Sequence, residues 1–366
     1  MTLKATMKYW LWLTCIPMMW CEKAKKCLEV FGTPRELFKA NEELLKKTGI
    51  FSEEDIYNIV SSKNNINIEE KWNQMDKKGI KFVTIDDEGY IDKLRIYEDK
   101  PLWLFYKGEL PKDNDKLVGM VGARNCSQYG KTMAENIACK LPLYSIGVVS
   151  GLARGIDVAA HRGAIMGQGK TYAVLGCGVD ICYPRENINT YMDVIANGAV
   201  ISEYPLGCQP MPWQFPYRNR IISMLSDAVA VLEAKRKSGS LITTDYALKY
   251  GKEIFALPGR VTDTLSEGCN DLIKSGASIL TEAEDMLFAT GVYFDDKDIQ
   301  KNKNKKIILE KENEVVYSCL DLLPQGIEEI IAKTGMNSSE VYEVLMNLVM
   351  DGLVIEPVRN HYARKK

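Results

Sequence analysis

The middle of the chain, from residue 117 to residue 284, repeats one pattern: a β-branched apolar run, a turn rich in glycine, serine or arginine, and an amphipathic helical stretch. Near-continuous runs of Val, Ile, Ala and Leu that alternate with helices indicate strands covered on both faces, and therefore a parallel α/β sheet. The sequence predicts strands at residues 116–121, 146–150, 171–175, 199–202, 228–232 and 253–257.

The turns that follow these strands carry chemistry suited to anions. The carboxyl ends of parallel strands lie at one edge of a sheet, where free amides at helix starts hold phosphate groups and nearby arginines attract them. Several such turns at one edge predict a phosphate-bearing ligand. The candidate binding residues are Arg124, Ser127, Ser150, Gly151, Arg154, Phe215, Arg218, Asn219, Arg220, Lys235, Lys237, Ser238, Gly239 and Ser240.

Residues 215–220 place an aromatic ring beside two arginines and an asparagine at the start of a helix. Such a ring can stack on a base while the cations contact phosphates, so the segment suits a nucleotide or a single strand. Arg218 and Arg220 are two positions apart and point to different helix faces, which leaves open whether one of them is structural. Lys235 and Lys237 are either a further contact to a nucleic-acid backbone or a solvated basic cluster.

A possible catalytic pair lies on the second predicted helix of the sheet domain. Asp157 and His161 are four residues apart on one helical face. They form either a general-base pair or a structural pair in which the carboxylate orients the imidazole. No serine, cysteine or metal cluster completes a catalytic set around them. The sequence has no glycine-rich ATP-binding loop, and Ile181 stands where a dinucleotide-binding motif begun at Gly176 and Gly178 needs glycine.

The near-neutral charge of the chain means that any binding site for a polyanion is restricted to a local surface. The chain of 366 residues has a formal net charge of −2 and 26% charged residues, so it lacks the basic coat of a bulk nucleic-acid binder. Its ten cysteines are never spaced as CxxC, and with two histidines they indicate reduced thiols, not a zinc site or a disulfide framework. The apolar stretch at residues 9–20 is too short for a membrane span. We expect a cytoplasmic protein without a cofactor.

Changes in pattern along the chain predict three domains. Short helices at residues 1–85 form a small helical domain resembling a helix-hairpin-helix or sterile-alpha-motif module, and the α/β domain occupies 86–293. Residues 294–306 are charged and rich in asparagine, which is typical of a linker. Three helices and two short strands at 307–366 have the order of a winged helix.

Several motifs of the middle domain fit one family. The chain carries Gly122-Ala123-Arg124, then SGLARGIDVAAH at 150–161, FPYRNR at 215–220, SGSLIT at 238–243 and Leu257-Pro258-Gly259. In order and spacing they resemble the DNA-processing protein A family (DprA/Smf). The resemblance implies an extended Rossmann-like fold that binds single-stranded DNA and forms a homodimer. It also implies that the protein protects incoming DNA and helps to load RecA recombinase during natural transformation, without catalytic activity.

The resemblance also implies roles for the candidate residues. Arg124 matches a DNA contact of the family, and the turns at Ser150 and Ser238 hold phosphates. Phe215, with the polar residues 218–220, lines the groove where bases sit.

Two other functions remain open from sequence. The same sheet edge suits an enzyme that binds or hydrolyses a nucleotide with Asp157 and His161, and the helical ends of the chain suit an adaptor. The predicted recognition helix of the winged helix carries Glu340 and Glu343 but neither lysine nor arginine, so we expect that domain to contact protein and not DNA.

Overall fold

The computed structural model describes residues 6–292, 311–321, 324–350 and 352–364. The chain forms two units, Met1–Tyr293 and Phe294–Lys366. The predicted linker at 294–306 lies outside the described residues. The division of the first unit at residue 85 stays a prediction.

Six helices begin the larger unit, and the sequence predicts five of them, at residues 7–16, 22–31, 34–40, 41–48 and 52–60. Ser52 and Asp55 cap the fifth helix reciprocally, each side chain accepting a hydrogen bond from the other residue's backbone amide at 3.2 and 3.0 Å. The sixth escapes prediction because its few apolar residues are surrounded by charged ones. The helices are α1 Met7–Cys15, α2 Cys21–Phe31, α3 Pro34–Lys39, α4 Glu42–Thr48, α5 Glu53–Asn65 and α6 Ile68–Lys77.

A nine-stranded sheet follows, and it contains all six predicted strands of the repeating pattern to within one residue at each end. The sequence pattern misses the short last strand. The strands are β1 Lys81–Thr84, β2 Trp103–Gly108, β3 Lys116–Val121, β4 Ile146–Ser150, β5 Thr171–Val174, β6 Gly198–Ser202, β7 Ala228–Val231, β8 Glu253–Ala256 and β9 Ser278–Ile279.

The order across the sheet is β1-β2-β6-β5-β4-β3-β7-β8-β9. All neighbours from β6 to β9 are parallel, whereas β1 and β2 are antiparallel additions at one edge. Strand β1 falls inside the predicted helical domain, yet it pairs with β2, with Lys81 opposite Tyr106. The amino-terminal part is therefore joined to the sheet by backbone hydrogen bonds.

Helices cover both faces of the sheet, which confirms the predicted α/β class. Along β3, Leu117 and Val121 belong to one apolar core, whereas Val118 and Met120 belong to another. Alternate residues of a strand point to opposite faces, so both faces are buried. The remaining helices of this unit are α7 Asp92–Arg95, α8 Gln128–Lys140, α9 Ile156–Met166, α10 Ile188–Asn197, α11 Gln214–Leu225, α12 Leu241–Lys249 and α13 Glu267–Lys274.

The strand order reverses at β3. The chain moves from β3 through β4, β5 and β6 on one side and then returns to place β7 on the other side. The loops that leave the carboxyl ends of β3 and β7 therefore turn in opposite directions and open a crevice between them. In open parallel sheets, ligands bind at such a crevice.

The smaller unit has the predicted order of helices and strands, and its assignment as a winged helix stays a prediction. Its strands form an antiparallel sheet of order β10-β12-β11. Buried side chains such as Val316, Ile330 and Leu345 form its core. Predicted helical residues 307–310 lie outside the described residues. The elements are α14 Lys311–Cys319, β10 Gln325–Gly326, α15 Ile327–Thr334, α16 Ser338–Met350, β11 Val354–Val358 and β12 His361–Arg364.

The ten cysteines are all free thiols. Burial raises the pKa of Cys21, Cys27, Cys177 and Cys269 to about 12, so these thiols stay protonated. Within the described ranges, no helix combines the length and the apolar character needed to cross a bilayer.

Candidate nucleic-acid interface

A cavity of about 660 Å³ opens at the carboxyl ends of β3 and β7. A neighbouring cavity of about 510 Å³ shares with it Arg124, Asn125, Ala153, Phe215 and Arg218. The two form one continuous depression, called here the carboxyl-edge groove. Its walls come from the loops after β3, β4, β5 and β7 and from the first turn of α11. Most of the candidate binding residues line it: Arg124, Gly151, Arg154, Phe215, Arg218, Asn219, Lys235, Lys237, Ser238, Gly239 and Ser240.

Arg124 and Phe215 meet in the middle of the groove. The guanidinium of Arg124 lies 5.3 Å from the centre of the Phe215 ring. The ring centre of Tyr183 lies 5.6 Å from that of Phe215. Arg124 is exposed, and no acidic side chain of the described residues pairs with it. The arrangement leaves a cation and an aromatic face together at the surface, which suits stacking beside a phosphate.

The loop after β7 supplies the second group of cations. Lys235 and Lys237 are exposed and have no acidic partner in the described parts of the chain, whereas Arg236 between them pairs with Asp271 at 3.0 Å. Lys235 and Lys237 therefore line the groove, whereas Arg236 is held by an acidic residue of α13. The free pair raises the local positive charge on a nearly neutral protein.

The serine-glycine turn at residues 238–240, which follows these lysines, lines the groove. The hydroxyls of Ser238 and Ser240 are 2.7 Å apart, and the Asn219 side-chain amide donates to the carbonyl of Gly239 at 3.4 Å. Thr243, on the first turn of α12, also lines the groove, and its buried hydroxyl has no partner among the described residues. Thr243 does not stand out in the sequence, because it is one of several hydroxyl-bearing residues at the start of that helix.

Arg218 lies beneath the groove and is 4% exposed. It donates to the carbonyl of Val174, and its Nε has no hydrogen-bond partner in the described chain. Gly151 is required here because a Cβ at that position would overlap the Arg218 guanidinium. Burial lowers the pKa of Arg218, and the neighbouring Asp157 opposes that effect. Gly151 also lines the groove, so its predicted contact with the ligand stays a prediction.

Two serines that were predicted to contact the ligand bond to other parts of the protein instead. Ser127 caps α8, accepting from the amide of Gly130 at 3.0 Å, and its hydroxyl donates to the buried Glu233 at 2.5 Å. Ser150 is fully buried and donates to the carbonyl of Met120 at 2.6 Å. These hydroxyls are already satisfied, so the expected phosphate contacts of Ser127 and Ser150 are corrected to structural roles.

Arg154 and Arg220 differ from the other predicted cations because each has a carboxylate partner. Arg154 is exposed and pairs with Glu186 at 2.5 Å. Arg220 is only 1% exposed, lies 2.7 Å from both carboxylate oxygens of Glu203, and covers the ring of Tyr217 at 4.1 Å. Arg220 does not line the groove. Its expected place among the bases is therefore corrected: of the two arginines on α11, Arg220 is the structural one.

The Asp157 and His161 side chains do not form the predicted pair. The Asp157 carboxylate accepts from the amides of Gly151 at 3.1 Å and Ala153 at 3.4 Å, which shapes the turn after β4. The Nδ1 of His161 lies 2.7 Å from the hydroxyl of Thr171, and no hydrogen bond in the described chain joins the imidazole to Asp157. The structure therefore contradicts both predictions, that Asp157 and His161 form a general-base pair and that Asp157 orients the imidazole. The described residues also contain no cluster of side chains suited to a metal ion.

His161 should make the fold sensitive to acid. Burial lowers the pKa of His161 to about 3, whereas the unfolded chain protonates a histidine near its ordinary value of 6.5. Stability from the neutral imidazole is therefore present above about pH 6.5 and is lost as the pH falls toward about 3. We expect about 2 kcal/mol less free energy of unfolding at about pH 5 than at about pH 7.5 from this group. Urea denaturation of the wild type and His161→Gln at both pH values measures it, and equal pH dependence of the two would contradict it.

Besides Thr243, the groove contains further residues that were not among the sequence candidates. Tyr183 and Arg185 follow β5, and both line the groove beside Arg154. The sequence predicts an anion-holding turn at residues 176–178, but the residues that follow it carry no periodic pattern that indicates an exposed loop. Their proximity to Phe215 arises from the packing of α11 across the sheet, which spacing in sequence does not reveal.

Comparison with known proteins identifies relatives of the whole sheet domain. A family model described as DNA recombination-mediator protein A matches residues 81–291. The chain is 42% identical over 242 residues to the DNA processing protein DprA of Streptococcus pneumoniae, covering 64% of this chain and 85% of that protein. It is also 29% identical over 391 residues to the protein Smf of a Synechocystis species, covering 98% of each.

Two solved structures of such proteins resemble the fold. The X-ray structure of DNA processing protein A from Streptococcus pneumoniae superposes with a TM-score of 0.65 at 33% identity, covering 79% of this chain and 99% of that one. A structure of DNA processing protein A from Helicobacter pylori, described in terms of its single-stranded DNA binding mode, gives a TM-score of 0.51 at 29% identity. It covers 57% of this chain and 94% of its own.

Proposed function

The chain belongs to the DNA recombination-mediator protein A family, and from that premise we propose that it binds single-stranded DNA in the carboxyl-edge groove. The observation that carries the proposal is a set of exposed cations, Arg124, Lys235 and Lys237, that have no acidic partner among the described residues and line the same groove as the ring of Phe215. Cations that track a backbone beside an aromatic platform are typical of sites for single strands. The Helicobacter pylori relative, whose structure concerns single-stranded DNA binding, supports the same ligand.

The proposed contacts divide into two kinds. Arg124, Lys235 and Lys237 neutralise phosphates, and the serine-glycine turn at 238–240 offers the amide of Gly239 and the two serine hydroxyls to the same DNA strand. Phe215 stacks on a base, which every base tolerates because each has a π face. Little sequence preference is expected from such contacts. The buried Arg218 adds positive charge below the groove, where low solvent access weakens screening.

We extend the proposal to the biological role that the family resemblance implies. The protein protects single strands that enter the cell and passes them to RecA recombinase, acting as a cytoplasmic homodimer during natural transformation. It breaks no bond in the DNA. The separation of Asp157 from His161 supports a binding role, since the alternative of nucleotide hydrolysis relied on that pair.

Replacing Phe215 by alanine should weaken single-strand binding by about 5- to 100-fold, because stacking of one base is worth about 1–3 kcal/mol. The variant Phe215→Tyr keeps the ring and should retain most of the affinity. Fluorescence anisotropy of a labelled oligo-dT measures both, with duplex DNA and a mononucleotide as competitors. Equal affinity of the wild type and Phe215→Ala would contradict the stacking contact. Binding of the mononucleotide in preference to the oligonucleotide would replace the proposed function by that of a nucleotide binder.

A further inference from the structure

A third cavity, of about 430 Å³, lies between the segment that joins α1 to α2 and the start of α11. Most of its lining is apolar, and much of that is aromatic. We call it the aromatic pocket and define it by Trp20, Trp103, Tyr204, Trp213 and Tyr217. It shares no lining residue with the carboxyl-edge groove. The contacts of Arg220 with Glu203 and Tyr217 lie in its wall, and none of the proposed DNA contacts uses it.

Three rings of the pocket pack against one another edge to face. The ring centres of Trp20 and Trp213 are 4.9 Å apart, those of Trp20 and Tyr204 are 5.8 Å apart, and those of Tyr204 and Trp213 are 6.2 Å apart. Trp213 nevertheless remains 47% exposed. An indole held by two neighbours and still open to solvent loses little further freedom when a flat ligand stacks on it.

The pocket and the groove adjoin at the start of α11. Pro212 lines the groove, and the next residue, Trp213, lines the pocket. Phe215 stands two residues beyond Trp213, so their α-carbons are at most about 7 Å apart. Residues two apart at a helix start point to different faces, so a strand stacked on Phe215 has to bend around Pro212 to reach the indole of Trp213.

We infer that a single strand leaving the groove inserts a base into the aromatic pocket, where it stacks on Trp213. The inference rests on the proposed function, because it needs the strand to occupy the groove. It adds a second stacking site, built from the amino-terminal helical part as well as from α11, and so assigns the segment at residues 14–22 a role in binding.

The charge of the pocket distinguishes this contact from those in the groove. Its charged lining residues are Glu22 and Glu203, and no lysine or arginine of the described chain lines it. The carboxylate of Glu203 is neutralised by Arg220, at 2.7 Å. A base can enter such a pocket, whereas a phosphate gains nothing there. Binding at Trp213 should therefore strengthen affinity without releasing counterions, and its loss should leave the salt dependence unchanged.

The tryptophans give the pocket its own spectroscopic signal. The chain has six tryptophans, and four of them, Trp10, Trp12, Trp72 and Trp103, are no more than 8% exposed. The other two, Trp20 and Trp213, both line the aromatic pocket. A base stacked on Trp213 should quench tryptophan emission, whereas a strand confined to Phe215 should leave it almost unchanged.

The test measures oligo-dT affinity across a salt series, together with tryptophan emission, for the wild type, Trp213→Leu and Trp213→Phe. We expect Trp213→Leu to bind roughly 5- to 100-fold more weakly with the slope of log affinity against log salt unchanged, and with most of the quenching lost. Trp213→Phe should keep much of the affinity because it keeps a ring. Tyr57→Leu, which removes an exposed ring on α5 away from the pocket, is the matched control and should bind normally.

The outcomes separate the inference from the proposed function. Tight binding of the wild type with equal affinity and equal quenching in Trp213→Leu would overturn the inference alone. A reduced salt slope in Trp213→Leu would also overturn it, because it would mean that a phosphate contact had been lost. Absence of oligonucleotide binding by the wild type would overturn the proposed function, and the inference with it. Thermal unfolding of each variant verifies that the fold is retained.

Discussion

Replacing Arg124, Lys235 and Lys237 together by alanine should lower the affinity for single-stranded DNA by about 100-fold or more at low salt, because each cation contributes about 1 kcal/mol or more through a charge-assisted phosphate contact. All three side chains are exposed and lack acidic partners in the described chain, so their removal leaves no buried charge behind. The fold should therefore be retained while binding is lost.

The salt dependence makes this prediction specific. Each lost phosphate contact on a single strand should reduce the slope of log affinity against log salt by about 0.7, so the triple variant should lose about 2. Oligo-dT titrations between low and moderate salt measure the slope. Lys140→Ala is the control, since this exposed lysine ends α8 at the opposite edge of the sheet. A triple variant with the slope of the wild type would mean that the strand binds elsewhere.

Arg220→Ala should instead lower the free energy of unfolding by about 3–5 kcal/mol, because it leaves the buried Glu203 without its partner. The two side chains are 1% and 6% exposed and lie 2.7 Å apart. Removal of the guanidinium also ends its contact with the ring of Tyr217. Loss of DNA binding in this variant would follow from unfolding and would not identify a contact. Urea denaturation of the purified variant gives the change directly.

A double-mutant cycle separates the ion pair from simple loss of packing. The variant Arg220→Met/Glu203→Leu removes both charges and keeps apolar bulk. Its loss of unfolding free energy should therefore be considerably smaller than the summed losses of Arg220→Met and Glu203→Leu. Strict additivity of the single effects would contradict the pairing. A fully stable Arg220→Ala that binds oligo-dT weakly would return Arg220 to the DNA contacts expected from the sequence.

The sheet was predictable because its strands obey a local rule. Buried parallel strands need near-continuous apolar runs, and such runs appear in sequence without knowledge of the fold. Strand β9 has two residues, Ser278 and Ile279, which are too few to form a run. The antiparallel pairing of β2 with β6 joins residues almost 100 positions apart, with Phe105 opposite Ser202, and no local pattern specifies it.

The sequence predicts the role of a site residue correctly where that role depends on the exposure of its side chain. It fails where the role depends on a partner that is distant in the sequence. Arg124, Lys235 and Lys237 lie in polar turns, which remain at the surface in the fold. Ser127 and Arg220 were expected to bind the ligand because they lie in similar turns and helix starts in sequence. Their partners, however, are Glu233 and Glu203, which the fold brings to them from 106 and 17 positions away. The two-residue spacing on α11 left open whether one arginine was structural, and the fold shows that Arg220 is buried against Glu203.

The carboxyl-edge groove explains how a protein of net charge −2 could hold a polyanion. Its cations are concentrated at the crevice where the strand order reverses, and the carboxylates near them are either paired or engaged by the backbone. Binding would then depend on a few local contacts and show moderate salt sensitivity.

Photocrosslinking tests the groove most directly. A single strand substituted with iodouracil reacts on irradiation with aromatic side chains that stack on it, and mass spectrometry identifies the modified residue. The proposed site predicts adducts at Phe215 or Tyr183, which lie 5.6 Å apart in the groove, and their loss in the variant without Arg124, Lys235 and Lys237. Adducts confined to the helices and strands of the smaller unit, with Phe215 and Tyr183 unmodified, would contradict the account.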